Sequence, residues 1–171
     1  MNSIKDRTAL VSKLLFAVFA LVVAGIVALN GWTAPAWATD YNNQTLLDHD
    51  FSGQDLTDSS FDHANLRGSN FSHSNLQGVR LFSSNLDSTN FEGANLTRAD
   101  LESSRLTRAN FTNAVLEGAF VTNAKFDGAI VDGADFTDVL LRSDVQKTLC
   151  KTAKGTNPTT GRDTRDTLFC P

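Results

Sequence analysis

Two cysteines, Cys150 and Cys170, and three histidines, His49, His63 and His73, have the widest chemical range of any side chains in this 171-residue chain. Two thiols alone supply too few ligands for a zinc site, and no histidine lies near them in sequence. An even pair in an exported chain reads instead as a disulfide. Closing a loop of about twenty residues would contribute about 3 kcal/mol by restricting the unfolded chain. The alternative is a labile bridge whose reduction loosens its surroundings. No Ser-His-Asp grouping, nucleotide-binding loop or convergent set of carboxylates accompanies these residues. The sequence therefore assigns no catalytic residue, no cofactor and no metal, and an enzyme is not expected.

Export is read from the leader. Lys5, Arg7 and Lys13 precede an apolar run from Leu14 to Leu29, and Ala36 and Ala38 place small residues before Thr39. This order of charge, apolar stretch and small residues predicts a Sec-type signal over 1–38, cleaved after Ala38 to leave Thr39 as the new terminus. No Arg-Arg pair points to twin-arginine export. The run is slightly short for a spanning helix and long for a signal, so an uncleaved anchor is the other reading. In both cases the body ends up on the far side of a membrane.

The body is a repeat. From Leu46 to Leu141 every fifth residue is Leu, Phe or Val, preceded by Asn or Asp in many units and, two positions back, by Ala, Ser or Thr in most. A period of five would spiral around a helix and alternate across a strand. All centres face inward only if the chain turns a corner in every unit, which is the signature of a solenoid. A longer period refines this. Phe51, Phe71, Phe91 and Phe111 recur every twenty residues, as do Leu56, Leu76, Leu96 and Leu116. Four units thus make one coil, identical side chains stack in a core ladder, and 46–141 holds about five coils. Asn70, Asn90 and Asn110 share the interval and predict a polar ladder on the outside. Asn70, Asn95 and Asn110 also open Asn-x-Ser/Thr triplets, which follow from the repeat and are not read as glycosylation sites. His63 and His73 stand two units apart, on opposite sides of a square coil, and share no ligand; His49 belongs to the first coil.

These units resemble the pentapeptide repeat family. The resemblance implies an all-β solenoid, the right-handed quadrilateral β-helix, with the central Leu or Phe filling the axis and the small residue two before it also inward. His49, Gln54, Val79 and Val139 depart from the small-residue pattern. The first two imply a distorted first coil and the valines slight overpacking. An N-terminal cap segment is expected over 39–45.

Over 142–171 the pattern changes to a small α-helical C-terminal cap. Ser143 and Gln146 have capping-box spacing, Val145 and Leu149 are spaced to face the solenoid, Gly155 is a stop, and Asp163 or Thr164 opens a second short helix ending near Phe169. Such a cap would cover an edge that otherwise recruits another chain. The segment Gly155-Thr-Asn-Pro-Thr-Thr-Gly161, together with Cys150 and Cys170, resembles the C-terminal signature of thylakoid-lumen pentapeptide repeat proteins of cyanobacteria and chloroplasts. That resemblance implies a lumenal address, with the periplasm as the alternative, and no activity.

Charge narrows the partners. Over 46–141 fourteen acidic residues face six basic ones, a net of −8; over 142–171 six basic residues face three acidic ones, a net of +3. An acidic body disfavours nucleic acid. Some family members mimic DNA and inhibit topoisomerases, but Arg67, Arg80, Arg98, Arg105, Arg108 and Lys125 interrupt the acidic surface, and export removes the chain from such a target. The remaining expectation is a non-catalytic structural or interaction protein with a protein partner in the lumen or at the membrane surface, assistance to photosynthetic membrane complexes being suggested by the address. The membrane itself is met only through the leader unless that is uncleaved. A redox-responsive factor acting through Cys150 and Cys170 is the second reading.

Overall fold

A computed structural model describes residues 39–171. The expected cleavage residues Ala36 and Ala38 lie outside the described residues, and Thr39 is the first within them. Nearly every unit bends where the backbone of the fourth residue after its small position, the second after its centre, turns left-handed. Ala94 N donates to Phe91 O at 3.0 Å across the corner, and the intervening Gly93 has φ +62°. Glycine takes this conformation without strain, but Arg98, Arg108 and Asn113 take it too, so the corner is imposed by the repeat and not by glycine alone.

Successive coils are joined by parallel bridges at an interval of twenty residues, in four columns that run from Asp40↔Ser60 to Val115↔Asp135. Each side of the square contributes one bridging residue, not an extended strand, because five residues leave room for little more than one bridge between two corners. The bonds alternate in direction. Phe91 N donates down to Asn110 O at 2.7 Å, and Asn110 N donates back to Thr89 O at 2.9 Å.

Along the axis Phe51, Phe71, Phe91 and Phe111 are all buried, with successive ring centroids 4.7, 5.4 and 5.2 Å apart and planes within 15° of parallel. Leu56, Leu76, Leu96 and Leu116 fill a second column, also buried. The small positions lie inside: Ala94, Ala99 and Ala109 are fully covered, while Ser84 and Ser104 bond their hydroxyls to Phe61 O and Leu81 O at 2.6 and 2.5 Å. Val79 and Val139 are buried as well. Outside, Asn90 Nδ2 donates to Asn70 Oδ1 at 3.2 Å and Asn110 Nδ2 to Asn90 Oδ1 at 3.0 Å, and each Oδ1 also accepts the amide two residues on. The asparagine thus bonds along the rod and stiffens its own corner.

Two boundaries differ from expectation. The coil begins before Leu46: Tyr41 occupies the preceding centre, stacks on Phe61 at 4.7 Å, and its neighbour Asp40 already bridges Ser60. A tyrosine did not match the Leu/Phe/Val pattern, although its ring serves the same purpose at an end where its hydroxyl reaches water. Segment 39–45 is therefore part of the first coil. Helix α1 spans Ser143–Leu149, and its N-cap is Arg142 with no side-chain capping bond. Ser143 is inside the helix and the capping box does not form, because Gln146 reaches instead to Leu168 O at 2.7 Å. Helix α2 is Thr164–Thr167, capped by Asp163, whose side chain accepts from Arg165 N at 2.9 Å. It stops short of Phe169, which turns left-handed at φ +52°.

Candidate functional site: the cap closed by Cys150 and Cys170

The end of the solenoid is where chemistry-bearing side chains converge. Cys150 follows α1 and Cys170 precedes the terminus; they are joined as a disulfide with their Cα atoms 5.5 Å apart, and both are half-buried against the core. Arg165 spans the same junction, donating to Cys150 O at 2.9 Å and Pro171 O at 2.8 Å. Among the described residues no thiol is left free.

Asn157 is the anchor. It is fully buried, and its Nδ2 donates to Asn113 O, Ala114 O and Gly133 O at 3.1, 3.1 and 2.9 Å, reaching into two successive coils. Its Oδ1 accepts from Thr159 N and Thr160 N at 2.9 and 3.0 Å. Pro158 follows without an N–H, so the corner needs only those two donors. Gly155 lies against the last coil: a Cβ there would come within 3.2 Å of Gly133 N, and its φ is +86°. Gly133 N in turn donates to Lys154 O at 2.8 Å, so this strip of the cap takes the place of a further coil.

Beside it Arg162 Nη1 contacts Glu117 Oε2 at 2.6 Å and Asp135 Oδ2 at 3.1 Å. Burial of the Asp135 side chain works against its charge. The Thr137 hydroxyl and amide, the Thr160 hydroxyl and the Arg162 guanidinium outweigh that penalty and hold the carboxyl below its ordinary range. On α1 the Arg142 guanidinium brings the Asp144 carboxyl down to about 2, but both are exposed.

The histidines stay apart. His49 packs on Phe51 at 4.4 Å and His63 lies edge-on to Phe82 at 5.6 Å. The His73 ring lies over Gly93, where a Cβ would approach its Nδ1 to 2.5 Å. Among the described residues no group of three or more His, Cys, Asp and Glu could hold a metal. Ion pairs such as Arg80–Asp62 at 2.5 Å and Arg108–Asp87 at 2.6 Å alternate charge over the body. The sequence marks Asn157 only within the cap signature, where Asn157-Pro158 reads as a turn, and does not single out Arg162 or Asp135; the carbonyls that Asn157 serves are more than twenty residues away.

Similarity to known proteins agrees with this architecture. The family model described as pentapeptide repeat region matches residues 54–143. A crystal structure of a pentapeptide repeat protein from the Arabidopsis thaliana thylakoid lumen is 44% identical, covering 76% of this chain and 90% of that one, with a TM-score of 0.74. A pentapeptide repeat protein of Nostoc is 28% identical over 54% of this chain and 84% of its own, with a TM-score of 0.51. The chloroplast thylakoid lumenal 15 kDa protein 1 of Arabidopsis is 63% identical over 35 residues, which is 20% of this chain and only 16% of that protein. With a five-residue unit, a twenty-residue coil and relatives built the same way, the chain belongs to the pentapeptide repeat family, and these relatives include proteins of the thylakoid lumen.

Proposed function

We propose that this is a non-catalytic interaction module of the thylakoid lumen, a right-handed quadrilateral β-helix that holds a protein partner and serves membrane complexes of the photosynthetic apparatus. The observation that carries it is the 44% identity to a lumenal protein over 90% of that protein's length. A side-chain-filled axis leaves the outer faces and the cap for specificity. The leader 1–38, cleaved after Ala38, supplies the export route. Crosslinking in intact membranes, followed by identification of the captured protein, tests the reading. A lumenal partner is expected; capture of none under conditions that trap known neighbours refutes it. A mature mass beginning at Thr39 is expected, and an intact leader refutes cleavage.

A second reading has its own support. The bond from Cys150 to Cys170 closes the cap, so reduction would remove the covalent tie between α1 and the terminus and leave only contacts such as those of Arg165 to hold them together. Under a redox-responsive function, partner capture differs between oxidised and reduced protein. Equal capture in both states assigns the bond to stability alone.

A further inference from the structure

We infer that the groove beside Phe169 is a docking site for an arginine side chain carried on an exposed segment of a partner protein. The inference rests on the interaction reading above and names the surface and the chemistry that meets it. Its starting point is a residue whose conformation does not suit its type. Helix α2 is capped at its end by Leu168, and Phe169 follows at φ +52°. Glycine or asparagine usually closes a helix in this way, because a bulky side chain is strained there. Both neighbours of Phe169 are committed elsewhere: Leu168 is buried, and Cys170 is tied to Cys150 and donates its N–H to Arg165 O at 2.9 Å. The ring between them is turned outward and is 78% exposed. A glycine would make the same reversal without strain, so what the phenylalanine adds is an aromatic face offered to solvent.

The groove beside that ring has two walls. Thr137 and Asp138, at the corner of the last unit, form one; Asp163, Asp166 and Phe169 of the cap form the other. Phe136 N donates to Thr167 Oγ1 at 3.1 Å and holds the two walls together. Asp138 and Asp166 are exposed, and among the described residues neither they nor Asp163 is in an ion pair. The cation that lines the groove, Arg162, is already committed to Glu117 and Asp135. Nor do the three carboxylates come together as a set that could hold a metal ion. Separated carboxylates around an aromatic face suit a flat cation instead. A guanidinium can lie on the ring and fork its N–H groups onto a carboxylate, which a lysine ammonium cannot do in the same way. Leu140, 90% exposed and two residues beyond Asp138, adds apolar surface for a neighbour of that arginine.

The test uses the full-length oxidised protein and an acetylated, amidated peptide Ala-Leu-Arg-Leu-Ala, with versions carrying lysine or citrulline in place of arginine. In NMR titrations the arginine peptide should shift the Phe169 ring protons and the amides of Asp138 and Asp166, with half-saturation at about 1 mM. The lysine peptide should bind about two- to five-fold more weakly. Citrulline keeps the shape without the charge and should give no saturable shift. Phe169→Leu and the double variant Asp138→Asn/Asp166→Asn, all at exposed positions, should each weaken binding of the arginine peptide about two- to five-fold. No shift, equal binding of the citrulline or lysine peptide, or shifts centred on the first coil overturn the inference. Tighter binding of calcium alone than of the peptide overturns it in favour of a metal ion, and shifts on raising the protein concentration alone overturn it in favour of a second copy. In intact membranes, equal partner capture by wild type and the double variant places the partner elsewhere while the interaction reading stands. Capture of no partner by wild type counts against that reading, and the titration still decides whether the groove takes an arginine.

Discussion

Replacing Asn157 is the sharpest test of how the cap is held. Its buried side chain contacts three carbonyls and two amides, from a position 44 and 43 residues beyond the carbonyls of Asn113 and Ala114. At roughly 1 kcal/mol net per hydrogen bond, discounted because a truncated side chain admits water, Asn157→Ala should cost about 3 kcal/mol. Asn157→Asp keeps the shape, replaces the donor by a carboxylate oxygen facing three carbonyls, and should cost about 1 to 2 kcal/mol more at neutral pH. The sign with pH follows. That carboxyl would be favoured in its neutral form in the fold, so its folded pKa would exceed the unfolded value of about 3.9. The protonated acid regains one donor, and its stabilising effect is fully present below the unfolded pKa and lost as pH rises through the folded one. Urea unfolding of the three proteins at neutral and acid pH, with amide exchange at Gly133 reporting cap contact, reads the effect. The reasoning is refuted if Asn157→Ala stays within about 1 kcal/mol of wild type with Gly133 still protected, or if Asn157→Asp does not approach Asn157→Ala on acidification.

Phe91→Ala should cost about 3 to 5 kcal/mol by chemical denaturation, since rings at 5.4 and 5.2 Å on either side cannot close the gap, and a smaller loss than about 1 kcal/mol would contradict the stacked axis. Ala109→Lys, at a fully buried small position, should be worse still and is expected to prevent cooperative folding; a wild-type melting curve would mean the position is not inward. Thr164 Oγ1 is buried without a partner, so Thr164→Val should leave stability unchanged or raise it by about 1 kcal/mol in the same assay, and a clear loss would show a partner for the hydroxyl. Asp135 has its carboxyl held low, so its contribution is fully present above the unfolded pKa and is lost as pH falls through the folded one; Asp135→Asn should flatten the acid side of the stability curve, and an unchanged slope would refute the linkage. Reduction, or Cys150→Ser with Cys170→Ser, should lower stability by about 2 to 4 kcal/mol while leaving amide protection in the first three coils intact.

Much of the solenoid could be read from the chain because its determinants are periodic. Phe51, Phe71, Phe91 and Phe111 announce the column in which they stack, and Asn70, Asn90 and Asn110 the ladder they form, because each partner sits at the same offset. Where a residue serves the end of the array, that offset fails. Tyr41 fills a core position in a type the pattern did not include, and Gln146 forsakes its capping role for Leu168 O, a contact set by how the cap folds back. Asn157 is the clearest case. Its local neighbours specify a turn, whereas the carbonyls that fix its side chain belong to coils whose position only the assembled rod defines.

The twenty-residue interval also sets which changes of length the chain tolerates. Inserting one whole coil between Asn90 and Phe91 would put every downstream centre back over its own column, and the rod would gain a storey about 4.8 Å high. Inserting a single five-residue unit preserves each corner and each small position, yet it rotates everything after it by a quarter turn. Phe91 would then stack on Leu76 and not Phe71, while Phe91 and Phe111 stay paired and the cap turns together with the last coils it contacts. Gains and losses of sequence in this architecture are therefore expected in twenties, and a five-residue indel acts as a screw displacement of the entire downstream half, cap included.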